Sequence, residues 1–404
     1  MMYKITYNFT VSLTAFLLPA IGVFSPKVKQ FISTRAQAIT PSKTDVKYWI
    51  HCASLGEYEM AVPLINELLK THSLDDILIT FFSPSGYEHI KNGPYASRTM
   101  YLPLDTLKNV KAFYNNYNPA KALFIRYDFW YNFIQYGQKN NTQFYLINGR
   151  FQPNHFIFSR YGRPYLKLIQ KFENLFTSDK TSCKLLEEYN KQTHFVGDTR
   201  YDRVANTLET AREFADIVKF KSHKKLLIVG SSWEKEEALT KKLLDTSPDN
   251  LCVIIAPHDI QRTDQIIKEF KLYSPKRYTN SDFDEETSIV VLDTIGMLSE
   301  LYRYADFSLI GGGFHGALHN IIEPAVWGSQ ISFGPNYHKF PEAYDAIDHG
   351  FGFALTNENQ WIEMIHNLLK EDHKLQEIKK VSSDYVITQQ KATEKIAGYI
   401  LNQA

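Results

Sequence analysis

Ile310-Gly-Gly-Gly-Phe-His-Gly-Ala-Leu-His-Asn-Ile-Ile-Glu-Pro324 is the stretch that indicates most about the fold. The apolar run before it, Phe307–Ile310, predicts a short buried strand. Three consecutive glycines then let the backbone turn tightly and approach a ligand. Asn320 and Glu323 follow at the start of a predicted helix, spaced so that their side chains can point the same way. Together these features predict a binding site for a phosphate and for the hydroxyls of a ribose. The alternative is an ordinary glycine-rich turn with a helix cap.

The same strand–loop–helix pattern repeats along both halves of the chain. The predicted strands include Tyr48–His51, Asp76–Phe82, Leu123–Ile125, Phe144–Ile147, Lys225–Val229, Val253–Ala256 and Ser288–Leu292. Such alternation predicts an α/β fold with two parallel, doubly wound sheets, which bind ligands outside the carboxyl ends of their strands. We therefore expect two Rossmann-like domains facing each other across a cleft, over residues 36–205 and 206–404.

Residues 1–35 form a separate segment. Ile5–Pro26 contains no charged residue, and no acidic residue occurs before Asp45. The apolar length is close to the roughly 20 residues that cross a bilayer, and the flanking lysines suit anionic headgroups. We predict an N-terminal membrane anchor, inserted or interfacial. A hydrophobic helix packed on the domain is the alternative, and a cleaved signal peptide lacks a clear small-x-small cleavage site.

The composition excludes several classes of protein. A net charge of +1 provides no general basic field for nucleic acid, and 44% hydrophobic with 22% charged residues is typical of a globular protein. Three scattered cysteines argue against a disulfide framework and a structural zinc site. Walker, HExxH and GxSxG motifs are missing from the sequence, so NTPase, zincin and hydrolase functions lack support.

The candidate chemistry of the first half lies in loops after predicted strands. Glu57 follows Gly56 in a tight loop, where a partly desolvated carboxylate with a raised pKa can act as general base at neutral pH; the alternative is a first-turn Glu that favours the helix dipole. Arg126 and Asp128 precede aromatic residues, which suits a sugar or lipid pocket or a satisfied ion pair. Arg200 can offset the charge of a phosphate or carboxylate, or belong to a solvated charge run.

The second half offers candidate nucleotide contacts. Gly230-Ser-Ser-Trp233 precedes a helix, and Pro257-His258 with Arg262 offers an edge for base stacking or phosphate contact. Gly296-Met-Leu298 can line a nucleotide with backbone groups. A serine N-cap and an ordinary core or surface histidine are the alternatives.

The motifs in this order resemble the 3-deoxy-D-manno-octulosonic acid (Kdo) transferases of lipopolysaccharide synthesis. The resemblance runs to about Phe340 and rests on the segments Trp49–Glu57, Leu102–Thr106, Asp128–Trp130, Asn148–Arg150, Gly197–Asp202, Gly230–Trp233, Asp293–Gly296, Gly311–Gly313, His319–Pro324 and Phe333–Pro335. It implies a GT-B fold, CMP-Kdo as donor substrate, a lipid A precursor (lipid IVA) as acceptor, and work at the cytoplasmic face of the inner membrane. We expect no cofactor besides this donor, no metal and no nucleic-acid partner.

The resemblance also implies roles for individual residues. Glu57 matches the catalytic base, and Arg200 matches a basic residue that stabilises the transition state. The expected contacts with CMP are Pro257, His258, Gly296, Met297, Leu298, Asn320, Ile321, Ile322 and Glu323.

The sequence departs from the family at three of these sites. Arg126 stands where much of the family has a transition-state acid, so either Asp128 takes over or Arg126 meets the donor carboxylate. His258 stands where an Arg is common and Met297 where a Glu is common, which predicts contacts through the backbone there. A GT-B enzyme that uses a UDP-sugar, including an epimerase, and an inactive nucleotide-sugar-binding relative are the alternatives.

Overall fold

The computed structural model describes residues 2–37, 44–248 and 250–402, which divide into two compact units. The first unit comprises the described residues of Met1–Arg203 and Gln390–Ala404, and the second comprises those of Val204–Gln389. Each unit is built around one seven-stranded sheet in which every neighbouring pair of strands is parallel. The predicted α/β class and the two doubly wound sheets are therefore confirmed.

The first sheet has the strand order β3-β2-β1-β4-β5-β6-β7. Its strands are β1 Tyr48–Cys52, β2 Ile77–Phe81, β3 Thr99–Tyr101, β4 Lys121–Ile125, β5 Gln143–Gly149, β6 Asn174–Thr177 and β7 Thr193–Phe195. The helices that follow the N-terminal pair are α3 Leu55–Leu68, α4 Pro84–Ile90, α5 Leu107–Tyr117, α6 Tyr131–Lys139, α7 Arg163–Ile169, α8 Lys180–Glu187 and α9 Thr199–Thr210. The order reverses between β1 and β4, which makes the ends of these two strands the expected ligand crevice.

The second sheet repeats this plan with the order β10-β11-β9-β8-β12-β13-β14. Its strands are β8 Lys225–Ser232, β9 Leu251–Pro257, β10 Lys276–Arg277, β11 Ile289–Val291, β12 Phe307–Ile310, β13 Gln330–Phe333 and β14 Gly352–Ala354. Its helices are α10 Ala215–Lys221, α11 Glu234–Asp245, α12 Thr263–Glu269, α13 Leu298–Leu301, α14 Ile322–Val326, α15 Pro341–Asp348, α16 Glu358–Lys370 and α17 Asp372–Thr388. Here the order reverses between β8 and β12.

The first sheet is buried on both faces, which explains its continuous apolar strands. Alternate residues of β1 contribute to two hydrophobic clusters, Trp49 to one and Ile50 to the other. Both side chains are fully buried. A parallel strand covered by helices on both sides reads as an unbroken apolar run, as Tyr48–Cys52 does.

The last helix, α18 Ala392–Leu401, belongs to the first unit. Asp202 caps its start by accepting hydrogen bonds from the backbone N–H of Lys391 at 2.5 Å and of Thr393 at 2.7 Å. Ile396 and Ile400 then pack into the core of the first unit. This differs from the predicted assignment of all residues from 206 onward to the C-terminal domain, because the capping acid and the apolar face that receive the helix lie more than a hundred residues earlier in the chain.

The predicted anchor consists of two helices, α1 Met2–Phe24 and α2 Pro26–Gln37, which we call the hairpin. Helix α1 continues through Pro19, and Tyr3–Phe24 is long and apolar enough to cross a membrane, with a mean hydropathy of 1.5. Val11, Ala15, Leu18 and Gly22 recur every three or four residues and are more buried than their neighbours, whereas Phe16 and Phe24 are 79% and 89% exposed. Such spacing is that of a helix seam, which fits the packing of α1 on α2.

Candidate functional site

Glu57 lies at the reversal point of the first sheet, in the first turn of the helix that follows β1. The backbone N–H of Ala53 donates a hydrogen bond to Glu57 Oε2, which folds the carboxylate back toward the strand end. Burial raises the pKa of the Glu57 carboxyl; the Ala53 hydrogen bond and the charges of His51 and Arg126 oppose that rise, and Asp128 adds to it. A half-buried carboxylate with a raised pKa is what general-base chemistry at neutral pH requires.

A hydrogen-bonded relay beside Glu57 joins β1, β2 and the loop after β4. His51 is fully buried, with Nδ1 2.8 Å from Thr80 Oγ1 and Nε2 3.0 Å from Asp128 Oδ2. Trp49 Nε1 donates to the same Thr80 hydroxyl at 2.8 Å, so Thr80 joins two side chains of β1. Trp130 Nε1 lies 3.1 Å from the same Asp128 oxygen. Asp128 is therefore held by an imidazole and an indole, and its carboxylate points at the end of β1.

Arg126 takes part in a second cluster, with Asp198 and Arg200. Arg200 binds Asp198 Oδ2 through Nε at 3.0 Å and Nη2 at 2.9 Å, and Arg126 Nη2 lies 3.7 Å from the same oxygen. Burial acts to raise the pKa of the Asp198 carboxyl, but Arg200 and Arg126 lower it to about 2. Arg150 is close enough to act on the pKa of Arg126. Two guanidinium groups share this carboxylate and a third lies near Arg126, which leaves excess positive charge that suits an anionic group of a substrate.

Asn148 secures the loop that carries this cluster. It has a left-handed backbone, with φ of 53°. Its Nδ2 donates to Asp198 Oδ1 at 3.1 Å and to Thr199 Oγ1 at 2.8 Å. The Asn-Gly-Arg and Gly-Asp-Thr-Arg motifs are thus explained by one local structure that holds Arg200 in place.

Four of the expected nucleotide contacts line one cavity of about 610 Å³ in the second unit, which we call the donor cavity. They are Pro257, His258, Gly296 and Leu298. Two further wall residues are Trp233 and Arg262. The cavity lies beyond the carboxyl end of β9, where open α/β sheets bind ligands.

Aromatic rings form one wall of the donor cavity. The His258 ring stacks on Trp233 at 4.6 Å between centroids and lies 4.8 Å from the His319 ring. Burial lowers the pKa of His319, and the neighbouring His258 lowers it further. Arg262 is held by Glu237, to which it donates at 3.1 and 2.8 Å. This favours the stacking interpretation for Pro257-His258 and gives Arg262 a protein partner in place of a phosphate.

The other expected nucleotide contacts have different surroundings. Asn320 Nδ2 donates to Glu323 Oε1 at 3.1 Å, so these two side chains do meet. Ile321 and Ile322 are buried in the core, so only their backbone groups can meet a ligand. Met297 accepts a hydrogen bond at Sδ from Thr294 Oγ1 at 3.1 Å.

The three consecutive glycines are required by close contacts within the protein. A Cβ on Gly311 would lie 1.9 Å from the carbonyl oxygen of Ser231, and one on Gly313 would lie 2.5 Å from the nitrogen of Gly334. Gly312 has φ of 85°. Contacts between backbones therefore account for these glycines in place of the predicted approach to a ligand.

No group of three or more His, Cys, Asp or Glu side chains within residues 2–37, 44–248 and 250–402 is arranged to hold a metal ion.

Residues 29–203, which contain Glu57 and both of its neighbouring clusters, match the family model for 3-deoxy-D-manno-octulosonic-acid transferase (Kdo transferase). The curated Kdo transferases of Chlamydophila psittaci and Haemophilus influenzae are 25% and 26% identical to the chain, over 77% and 80% of its length and 75% and 79% of theirs. Together these comparisons support the assignment of the chain to the Kdo transferase family. Glycosyl transfer of Kdo in lipopolysaccharide synthesis is the reaction class that this similarity supports.

The fold has relatives outside the Kdo transferases. The structure of UDP-GlcNAc 2-epimerase from Neisseria meningitidis bound to UDP-GlcNAc superimposes with a TM-score of 0.63 at 13% identity, over 88% of this chain and all of that one. A likeness at this identity concerns the fold alone. It confirms the predicted GT-B class of two Rossmann-like domains.

Several residues of both sites were missed in the sequence. His51 lies inside a quoted Kdo transferase motif, and its position on a buried strand one residue from the strand end was the available signal. Trp130, Asp198, Trp233 and His319 also lie in quoted motifs, but no local signal pairs them with their distant partners. These partners are His51 for Trp130, Arg126 for Asp198, and His258 for both Trp233 and His319.

Proposed function

We propose that the protein transfers Kdo from CMP-Kdo to a hydroxyl of a lipid A precursor, lipid IVA, with inversion at the anomeric carbon. The observation that carries the proposal is Glu57, whose carboxyl has a raised pKa at the sheet reversal point inside the segment that matches the Kdo transferase model. The nucleotide of the donor is assigned to the donor cavity, whose aromatic wall suits a base.

The proposed reaction is a single displacement. The acceptor hydroxyl attacks the anomeric carbon of Kdo while its proton passes to Glu57, and CMP leaves with the electron pair of the broken C–O bond. Glu57 must be ionised to accept that proton, so its raised pKa sets the acid limit of activity and makes it a stronger base above that limit. We assign Arg126 and Arg200, with their excess positive charge, to the binding of an anionic group of the substrates, either the Kdo carboxylate or the phosphate of CMP.

The surroundings of Arg126 and Asp128 support different roles for them. Asp128 is bound by His51 and Trp130 and lies with Glu57, so we assign it to the relay that orients the base. Arg126 shares Asp198 with Arg200, so we assign it to the anion. On this assignment Asp128 does not take over from Arg126: Asp128 orients the base, and Arg126 meets the anion.

We propose that the hairpin holds the protein on the cytoplasmic face of the inner membrane by entering one leaflet. Tyr7 and Arg35 bind the first unit at the two ends of the hairpin. The part of α1 that extends beyond this attachment, from Phe9 to Phe24, is about 24 Å long at about 1.5 Å per residue. That is shorter than the roughly 30 Å of a hydrocarbon core, and α2 brings the chain back to the same unit.

The first test is transfer to a tetraacylated lipid A precursor with CMP-Kdo generated in situ and the product read by mass. We expect a mass gain of one or more Kdo units, and Glu57→Gln to lower kcat about 10²- to 10⁴-fold, the range for a lost general base. Glu59→Gln is the matched control: this acid lies on the same helix and pairs with Arg203 at 2.9 Å. Near-normal transfer by folded Glu57→Gln would refute the assignment of the base.

A second candidate function, suggested by the fold likeness to UDP-GlcNAc 2-epimerases, is that of an enzyme that acts on UDP-sugars. Thermal unfolding with CMP or UDP separates the two, because a ligand at about 100 times its Kd stabilises the native state by about 2.7 kcal/mol. Stabilisation by UDP alone would favour the epimerase-like candidate. Stabilisation by CMP with no transfer to any acceptor would indicate an inactive relative.

A further inference from the structure

Among the contacts of the hairpin with the rest of the first unit, two lie close to Trp130. This tryptophan ends the loop Arg126–Trp130, which we call the Trp130 loop. The attachment through α1 reaches the helix that follows the loop, and the attachment through α2 reaches the ring of Phe82, which packs against Trp130. A helix pair that only tethered the protein to a membrane would need neither contact.

The attachment through α1 is a set of hydrogen bonds around Asp105. Tyr7 donates its hydroxyl to Asp105 Oδ2 at 2.7 Å, and the same carboxylate accepts the backbone N–H of Asn132 and of Phe133, each at 2.9 Å. Asn132 Nδ2 also donates to Asn8 Oδ1 at 2.7 Å. Asp105 therefore bonds α1 on one side and the first turn of α6 on the other. This accounts for the Leu102–Thr106 motif, which the proposed reaction does not use.

The attachment through α2 is the buried side chain of Arg35. Its Nη1 donates to the carbonyl oxygen of Phe31 at 3.1 Å, and Nη2 donates to the carbonyl oxygen of Phe82. The guanidinium lies 3.5 Å from the centroid of the Phe31 ring and 5.0 Å from that of Phe82. The Phe82 ring in turn packs against Trp130, with the ring centroids 4.6 Å apart and the planes tilted by 39°. Trp130 is thus braced from one side by Phe82 and from the other by the helix that Asp105 caps.

Trp130 connects these attachments to the candidate acceptor site. Its indole N–H lies 3.1 Å from Asp128 Oδ2 and 3.0 Å from His51 Nε2, the two groups of the relay beside Glu57. The Trp130 loop thus lies between groups that bind the two ends of the hairpin and the relay beside Glu57. Large exposed side chains at the far end of the hairpin, among them Phe16 and Phe24, give it a strong preference for a lipid surface over water.

We propose that the hairpin is a positioning element of the acceptor site, so that its insertion into a lipid surface orders the Trp130 loop and with it the relay beside Glu57. The inference rests on the proposed function for its catalytic consequence. Thermodynamically, lipid that binds the ordered hairpin shifts the loop toward the same ordered state, and an acceptor that binds the ordered loop favours insertion.

A fluorescence experiment tests this linkage without any substrate. The emission of Trp130 is obtained as the difference between the protein and its Trp130→Phe variant, and its quenching by acrylamide is measured with and without phosphatidylglycerol–phosphatidylethanolamine vesicles. We expect vesicles to lower this quenching at least twofold. Tyr7→Phe should bind vesicles equally well and lose most of the protection of Trp130 from quenching, because it lacks the hydroxyl that donates a hydrogen bond to Asp105.

Two variants on the same helix serve as controls. Tyr3→Phe also removes a phenol hydroxyl from α1, but that hydroxyl bonds Tyr165 and not Asp105, so the protection should remain. Phe16→Ser should weaken vesicle binding and, once vesicles are saturating, show full protection of Trp130. Equal protection in Tyr7→Phe and the unaltered protein would mean that lipid shields Trp130 directly, and would overturn the proposal.

Kinetics test the catalytic consequence. With acceptor dispersed in detergent, Tyr7→Phe should raise the KM for the acceptor about fivefold or more and leave both the KM for CMP-Kdo and the thermal shift by CMP unchanged. A change in both KM values together with a lower Tm would instead indicate general destabilisation, against the proposal. If the unaltered protein transfers no Kdo, the proposed function fails, while the fluorescence result still decides whether the hairpin orders the loop.

Discussion

Replacing Asp198 with Asn should destabilise the first unit strongly, because this carboxylate is the shared partner of two arginines. It accepts hydrogen bonds from Arg200 Nε and Nη2 at 3.0 and 2.9 Å and from Asn148 at 3.1 Å, with Arg126 Nη2 at 3.7 Å. Asp198→Asn leaves two guanidinium charges in a mostly buried site without their counter-charge. Removing one partner of a buried pair costs about 3–5 kcal/mol, which is the loss we expect in the free energy of unfolding at pH 7.

The same carboxylate should make stability fall in acid over a defined range. Burial acts to raise the pKa of Asp198, but Arg200 and Arg126 lower it from 3.8 to about 2 in the folded protein. A depressed folded pKa means that the stabilisation is fully present above about pH 4 and is lost as the pH falls toward 2. At about 1.36 kcal/mol per pKa unit, that loss is about 2 kcal/mol, and it should be missing in Asp198→Asn.

Urea unfolding followed by circular dichroism at pH 7, and thermal unfolding between pH 5 and pH 2, measure both effects. Asp202→Asn is the control, because this nearby acid caps α18 and has no part in the arginine cluster. Adding Arg126→Met to Asp198→Asn should recover about 1–2 kcal/mol by removing one uncompensated charge. A loss below about 1 kcal/mol in Asp198→Asn, or an acid loss equal to that of the unaltered protein, would refute the charge balance inferred for this cluster.

Two further predictions concern the second unit. His258→Ala should weaken CMP binding about tenfold in calorimetry, because it removes the ring that stacks on Trp233 at 4.6 Å and an aromatic contact is worth about 1 kcal/mol. Unchanged affinity would mean that the cytosine base binds elsewhere. Gly311→Ala should lower the free energy of unfolding in urea by about 3 kcal/mol or more, because its Cβ would lie 1.9 Å from the Ser231 carbonyl oxygen. Gly56→Ala is the control: nothing lies within 4 Å of its Cβ, so stability should change by less than about 1 kcal/mol.

Local pattern determined the larger part of the architecture. Short apolar runs separated by helical segments predicted both parallel sheets, because strands buried on both faces must be apolar throughout. The edge strands β3, β7, β10 and β14 have two or three residues each, too few for any pattern, and only pairing with their neighbours defines them. Glu57 was singled out from sequence because it closely follows a buried strand, although the structure places it in the first turn of α3 and not in the predicted loop.

Partners of side chains were decided by the tertiary structure. The sequence left open whether Arg126 or Asp128 serves the transition state. Sheet order placed the end of β4 beside that of β1, which joined Asp128 to His51, while the return of the chain before α9 brought Asp198 to Arg126. These residues are separated by about seventy positions, so no local pattern can pair them.

The N-terminal segment and the last helix illustrate the same division. The apolar composition of Ile5–Pro26 predicted a helix with affinity for lipid, since the length and hydropathy of a helix are local properties. The chain turns at Ser25 and returns to the first unit at Arg35. This path depends on the partners of Tyr7 and Arg35, which are Asp105 and the carbonyl oxygen of Phe82. Likewise α18 crosses to the first unit because Asp202 and an apolar surface of the first core receive it there. Periodicity and apolar character are local, so they specify which elements form. Which elements meet depends on hydrogen bonds and charge pairs between distant segments, and these exist only once the sheet is assembled.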